Sequence, residues 1–123
     1  NNSSFNSKEG TFKGFMYGST EITEHARNLV PLYTGQANYI SSHVAGLEAR
    51  GREKLIDNFQ KGMNMGGSID SLEILKMDVS CELATLLCKY TAINNGVRVV
   101  GRNLIVLRRI NNVWLIALHM TVV

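Results

Sequence analysis

A chain of 123 residues with 45% hydrophobic and 19% charged residues has the balance of one globular domain, large enough to bury a core. Its longest apolar run, Val113 to Leu118, is far too short to cross a bilayer, so no membrane partner is expected. The net charge of +3 is mild, and Lys and Arg gather only as Arg50/Arg52/Lys54 and Arg98/Arg102/Arg108/Arg109, so no nucleic acid is expected either.

The opening NNSSFNSKEG is polar and carries no visible signal peptide. Residues 1–11 are expected to form a flexible N-terminal segment, followed by a single domain over 12–123. Phe12, Phe15, Met16, Ser19 and Ile22 recur at helical spacing and predict a helix over about 8–24, weakened by Gly10, Gly14 and Gly18. Ala26, Leu29, Val30 and Tyr33 extend a helical stripe to Gly35, with Pro31 predicting a kink or a late start. GQANYISSH alternates as a short strand does. GREKLIDNFQKGMNMGG reads as a second helix with Leu55, Ile56, Phe59 and Met63 on its packing face.

Everything after Ser68 reads as strand: 69–78, 79–93, 97–110 and 113–123, with turns at Asn94-Asn95-Gly96 and Asn111-Asn112. Cys81 and Cys88 lie seven apart in one apolar segment; on a strand they point to opposite faces and should not bridge. They are expected to be buried thiols, which suits a reducing, cytoplasmic setting. Helices first and a four-strand meander after imply an α+β fold. The strands are apolar on both faces, so one face should pack on the helices and the other on a second copy of the chain, as a homodimer.

Three stretches carry a family resemblance. LVPLYTGQANYI is similar to the pattern L-x-x-L-Y-x-x-x-A, GREKLIDNF to G-R-E-x-I-x-x-F, and GRNLIVLRRINNVWLIALHM to the hairpin G-x-Y-L-x-V-x-R-R followed by G-x-W-x-I. In this order and spacing they resemble the nuclear transport factor 2-like superfamily, and within it the SnoaL-like branch, relatives of ketosteroid isomerases and polyketide cyclases. The resemblance covers about residues 12–123. It implies a cone-shaped, cystatin-like half-barrel with helices packed on a curved, mostly antiparallel sheet. It also implies a pocket between the concave face and the helices for a small apolar or amphipathic ligand, and dimerisation through the convex face. The fold hosts isomerases, cyclases, hydrolases and non-catalytic modules, so it does not name a reaction.

The isomerase pattern has a carboxylate base where this chain has Ser41, and a hydroxyl does not abstract a carbon-bound proton unaided. The helix tyrosine of that branch corresponds by ungapped count to Tyr17. On the first strand Tyr39, Ser41 and His43 share one parity, with Tyr39 and Ser41 as candidate pocket residues. On the last strand Trp114, Ile116, Leu118 and Met120 form the bulky set, expected to pack one face. His119 and Thr121 fall on the smaller, more polar one, suited to a cavity wall.

A two-residue Asn111-Asn112 turn sets Leu104 opposite His119 and Arg102 opposite Thr121, gathering Arg102, His119 and Thr121. His119 stands where the family often has an aspartate; it suits a general acid or base, and equally a buried neutral imidazole with a hydrogen-bond partner. Arg102 suits a ligand carboxylate, or an ion pair with Glu73 or Glu82. The candidate catalytic residues are therefore His119 and Tyr17, and the candidate substrate-binding residues Tyr39, Ser41, Arg102 and Thr121. The three histidines show no metal-ligand spacing and no phosphate loop is present, so no metal or cofactor is expected. The expected function is a small-molecule pocket: a cofactor-independent isomerase, cyclase or hydrolase on an apolar oxygenated compound, or a non-catalytic binding or dimerisation module.

Overall fold

A computed structural model of the chain describes residues 30–42, 48–64, 67–94 and 96–123. The expected helix over 8–24, the start of the next helical stripe, Tyr17 and His43 lie outside the described residues. The described chain runs β1 (Tyr33–Ser41), β2 (Glu48–Arg50), α1 (Arg52–Asn64), β3 (Ser68–Ser80), β4 (Leu83–Asn94), β5 (Val97–Ile110) and β6 (Val113–Val122). The strands form one curved sheet in the order β2-β1-β6-β5-β4-β3. All neighbours are antiparallel except β1 and β6, which run parallel. The expected α+β architecture, a helix packed on a mostly antiparallel sheet, is the one observed.

The helix forms where its sequence pattern requires. Gly51 stands just ahead of it at φ +88°, a left-handed conformation that suits glycine, and its carbonyl accepts the amide of Leu55. Glu53 lies in the first turn and Lys61 in the last, complementing the helix dipole. Leu55 and Ile56 are fully buried and Phe59 partly so, while Glu53, Lys54 and Asp57 face solvent. The helix packs on β1 and β2, and the face it covers is called the inner face below.

Tyr33 departs from its expected place at the end of a helical stripe. Val30–Leu32 make a single tight turn and Tyr33 already opens β1, because Pro31 cannot continue a helix and the residues after it pair with β6. The three hairpins of the meander are tight. Asn111 and Asn112 both hold positive φ, 52° and 63°, the pair of left-handed residues that a two-residue hairpin turn demands. The first hairpin differs from expectation: β3 runs to Ser80, and Cys81-Glu82 form the turn. Cys81 is consequently exposed, not a buried strand residue, whereas Cys88 is buried; the two form no disulfide. β3 is the long edge of the sheet, and it carries two register shifts and the charged residues Asp70, Glu73, Lys76 and Asp78, features that discourage edge-to-edge pairing.

Register assigns the core. On the inner face, Ala84, Leu107, Ile116 and Tyr33 form one row across four strands, and Leu86, Ile105, His119, Tyr39 and Ala49 form the next across five. Most of these are buried, with Trp114, Leu55 and Ile56 completing the cluster. On the outer face, Leu87, Leu104, Met120 and Ile40 make a continuous apolar row, three of them between 36% and 39% exposed.

One irregularity decides which side chains share a face. From Ile110↔Val113 to Leu107↔Ile116 the β5–β6 pairing follows the simple count from the turn, but Val106 then pairs with Leu118, leaving Ala117 as an extra residue. A bulge of one residue reverses the inward parity beyond it. Trp114 and Ile116 therefore share the inner face with His119 and Thr121, while Leu118 and Met120 turn to the outer face.

Candidate functional site

The bulge at Ala117 moves the partners of the last strand by one residue. Ile105, not Leu104, faces His119, and Asn103, not Arg102, faces Thr121. Arg102 stands exposed on the outer face in a row with Lys89 and Val122, and its guanidinium donates to the carbonyl of Gly101 at 3.2 Å. The expected cluster of Arg102 with His119 and Thr121 is thus not formed, and the reason is that single extra residue.

The other described candidates do come together. Tyr39 pairs with His119, and Ser41 with Thr121, along the parallel β1–β6 ladder. The amide of Ser42 donates to the carbonyl of Thr121 at 3.0 Å, and the amide of Val123 to Ser42 Oγ at 2.9 Å, which closes this end of the ladder. Thr121 Oγ1 in turn donates to Asn103 Oδ1 at 2.9 Å. One patch of the inner face thereby gathers Tyr39, Ser41, Asn103, His119 and Thr121.

Three aromatic rings from two elements, β1 and α1, surround the imidazole. Tyr39 meets His119 edge-on with centroids 5.1 Å apart, Phe59 of α1 lies 5.7 Å away, and the Tyr33 ring is nearly parallel to it at 6.5 Å. Phe59 also touches Tyr39 edge-on at 4.9 Å, so the helix closes the cluster over the sheet.

The hydrogen-bond roles inside this cluster follow from proton affinities. Tyr33 Oη lies 3.1 Å from His119 Nδ1. Burial, and secondarily the neighbouring Tyr39, raise the Tyr33 phenol well above its ordinary value, so it keeps its proton. Burial also lowers His119 to about 3, so the ring is neutral near pH 7. A buried phenol must place its proton on an acceptor, and among the described residues Nδ1 is the one within reach. Tyr33 therefore donates to Nδ1, and the imidazole proton sits on Nε2. In this tautomer the ring's basic lone pair is committed to Tyr33, and Nε2–H is a hydrogen-bond donor. Such a ring is a weak base at neutral pH but an effective neutral donor.

Tyr90 completes the far side of the inner face. It pairs with Gly101, and its ring lies against that glycine so closely that a Cβ there would come within 2.6 Å of Tyr90 Oη. Burial, with Tyr39 as the lesser cause, pushes its phenol up to about 12.

Three members of the cluster escape the sequence reading. Tyr33 is hidden by the helical stripe that leads into it; its odd parity with Tyr39 and Ser41 is the available signal. Phe59 reads correctly as a packing residue, but nothing local shows that its ring packs on a histidine. Asn103 is missed because the unbulged register puts Arg102 in its place.

No family model and no curated protein matches the chain. Solved structures do. An NTF2-like protein with a cystatin-like fold from Novosphingobium aromaticivorans is similar with a TM-score of 0.69 and 18% identity, covering 97% of this chain and 83% of that one. A domain of unknown function with a cystatin-like fold from Nostoc punctiforme gives 0.74 and 16%, covering 94% and 76%. A ketosteroid isomerase-like protein from Erwinia carotovora gives 0.70 and 18%, covering 99% and 97%. The chain has the nuclear transport factor 2-like, cystatin-like fold expected of it. At these identities the likeness concerns the fold alone.

Proposed function

We propose that the protein is a small-molecule-binding module of the SnoaL-like type, whose inner sheet face takes an apolar or amphipathic compound bearing oxygen. The observation that carries this reading is the patch of Tyr39, Ser41, Asn103, His119 and Thr121 set among apolar and aromatic side chains. Binding sites of this kind are mostly apolar, with a few convergent polar groups that fix orientation. His119 contributes a neutral N–H donor rather than a base. A hydrogen bond to a ligand carbonyl would polarise it, which is the feature that keeps an isomerase, cyclase or hydrolase reading alongside the non-catalytic one.

A screen of soluble metabolites by native mass spectrometry tests the proposal. A retained compound is expected to bind at least about tenfold more weakly to Tyr39→Ala, which removes the ring beside His119. Indifference of every retained compound to that change would remove the inner face as the site.

We further propose that the outer face pairs with a second copy of the chain. Ile40, Met120, Leu104 and Leu87 offer an apolar row across four strands, and beside it Glu73, Lys89 and Arg102 form a row of mixed charge able to complement its own copy. Leu104→Lys is expected to convert a dimer to a monomer in sedimentation equilibrium. A wild-type chain already monomeric at about 100 µM would count against the pairing.

A further inference from the structure

We propose that the carboxamide of Asn103 is the specificity-determining group of this face, holding the acceptor oxygen of an uncharged ligand; this rests on the ligand-binding reading above. Asn103 is 1% exposed, in the middle of β5. Its Oδ1 is engaged by Thr121 Oγ1 at 2.9 Å, which leaves the two Nδ2 protons for another acceptor. Among the described residues none hydrogen-bonds to Nδ2. A buried amide donor in that position is destabilising, and folded proteins keep few of them. Its place, one register step from His119 on the same face, is where a ligand of the proposed kind would lie.

The surroundings restrict what that ligand is. Along the row of Asn103 stand Ile74 and Cys88 on one side and Thr121 and Ser41 on the other. None of these carries a carboxylate, ammonium or guanidinium group, so among the described residues of this row a carboxylate or an ammonium ligand finds no counter-charge. A carbonyl oxygen of a ketone, ester or amide meets the amide protons without that penalty. Arg102, the one cation the sequence suggests for an acidic ligand, is on the opposite face.

Three probes of one shape test this: acetophenone, α-methylstyrene, in which a methylene replaces the carbonyl oxygen, and benzoate. Their affinities are read by NMR titration against the wild type, Thr121→Val, and the double variant Asn103→Leu/Thr121→Val. The two variants differ only in the carboxamide. The wild type is expected to prefer acetophenone over α-methylstyrene by about tenfold and to bind benzoate more weakly than either; Thr121→Val, which removes one polar group of the same patch, is expected to keep part of that preference. The double variant is expected to lose most of the preference and to melt no lower than Thr121→Val. Equal binding of the first two probes by the wild type overturns the role of Asn103 while leaving the face as a ligand site. Binding of none of them overturns both. A double variant that melts well below Thr121→Val, or does not fold, shows a structural carboxamide and overturns the inference on its own.

Discussion

Lowering the pH from 6.5 to 4 is expected to cost the fold about 3 kcal/mol through His119 alone. The sign follows from proton counting. Burial holds the folded imidazole at about 3, against an ordinary value of 6.5, so below 6.5 the unfolded chain binds a proton that the folded chain refuses. The contribution is complete above pH 6.5 and is lost progressively as pH falls toward 3. Protonation would also bring a charge into a ring of Tyr33, Tyr39 and Phe59, with Nδ1 already taken as an acceptor by the Tyr33 hydroxyl. Denaturant melts of the wild type and His119→Gln at several pH values check this. Glutamine stays neutral, so the variant's stability is expected to vary far less between pH 6.5 and 4. Parallel curves for the two proteins would show that the titrating group lies elsewhere.

Gly101→Ala is expected to destabilise the protein by about 3 kcal/mol, which lowers the melting temperature by roughly 10 °C. A Cβ at that position would sit 2.5 Å from the carbonyl oxygen of Val122 and 2.6 to 2.7 Å from Tyr90 Oη and Cζ. Neither neighbour can give way cheaply. The carbonyl belongs to the adjacent strand β6, and Tyr90 is 2% exposed, with its ring filling the space the glycine leaves. The pairing of Tyr90 with Gly101 thus uses a missing side chain on one strand to seat a large ring on its neighbour. Tyr90→Ala in the same background should recover little, because the clash with the Val122 backbone remains. A single variant melting within about 2 °C of wild type would mean that the strand shifts without cost and that the ring does not depend on this glycine.

Much of this organisation is legible before any coordinates. The period-2 runs after Ser68, the Asn111-Asn112 turn and the helix from Arg52 are local features, set by steric preferences of a few neighbouring residues. Tyr39, Ser41, His119 and Thr121 share a face as their parities suggest, although Trp114 and Ile116 join them from the opposite parity. The pattern around Tyr33 is local as well: the helical spacing of Ala26, Leu29, Val30 and Tyr33 runs past Pro31, whereas Tyr33 opens β1.

The sequence alone determined the alternation of strands, the turn chemistry and the amphipathic helix, because each depends on contacts within a few residues along the chain. Only the tertiary structure decided that β6 lies between β1 and β5 and that Ala117 is the extra residue in its pairing. It likewise placed Asn103, not Arg102, beside Thr121, and Tyr33 on His119. The physical reason is that a bulge moves every side chain beyond it to the other face without changing local propensity at all. The identity of the polar cluster therefore depends on how two strands meet across the sheet, a property neither strand carries by itself.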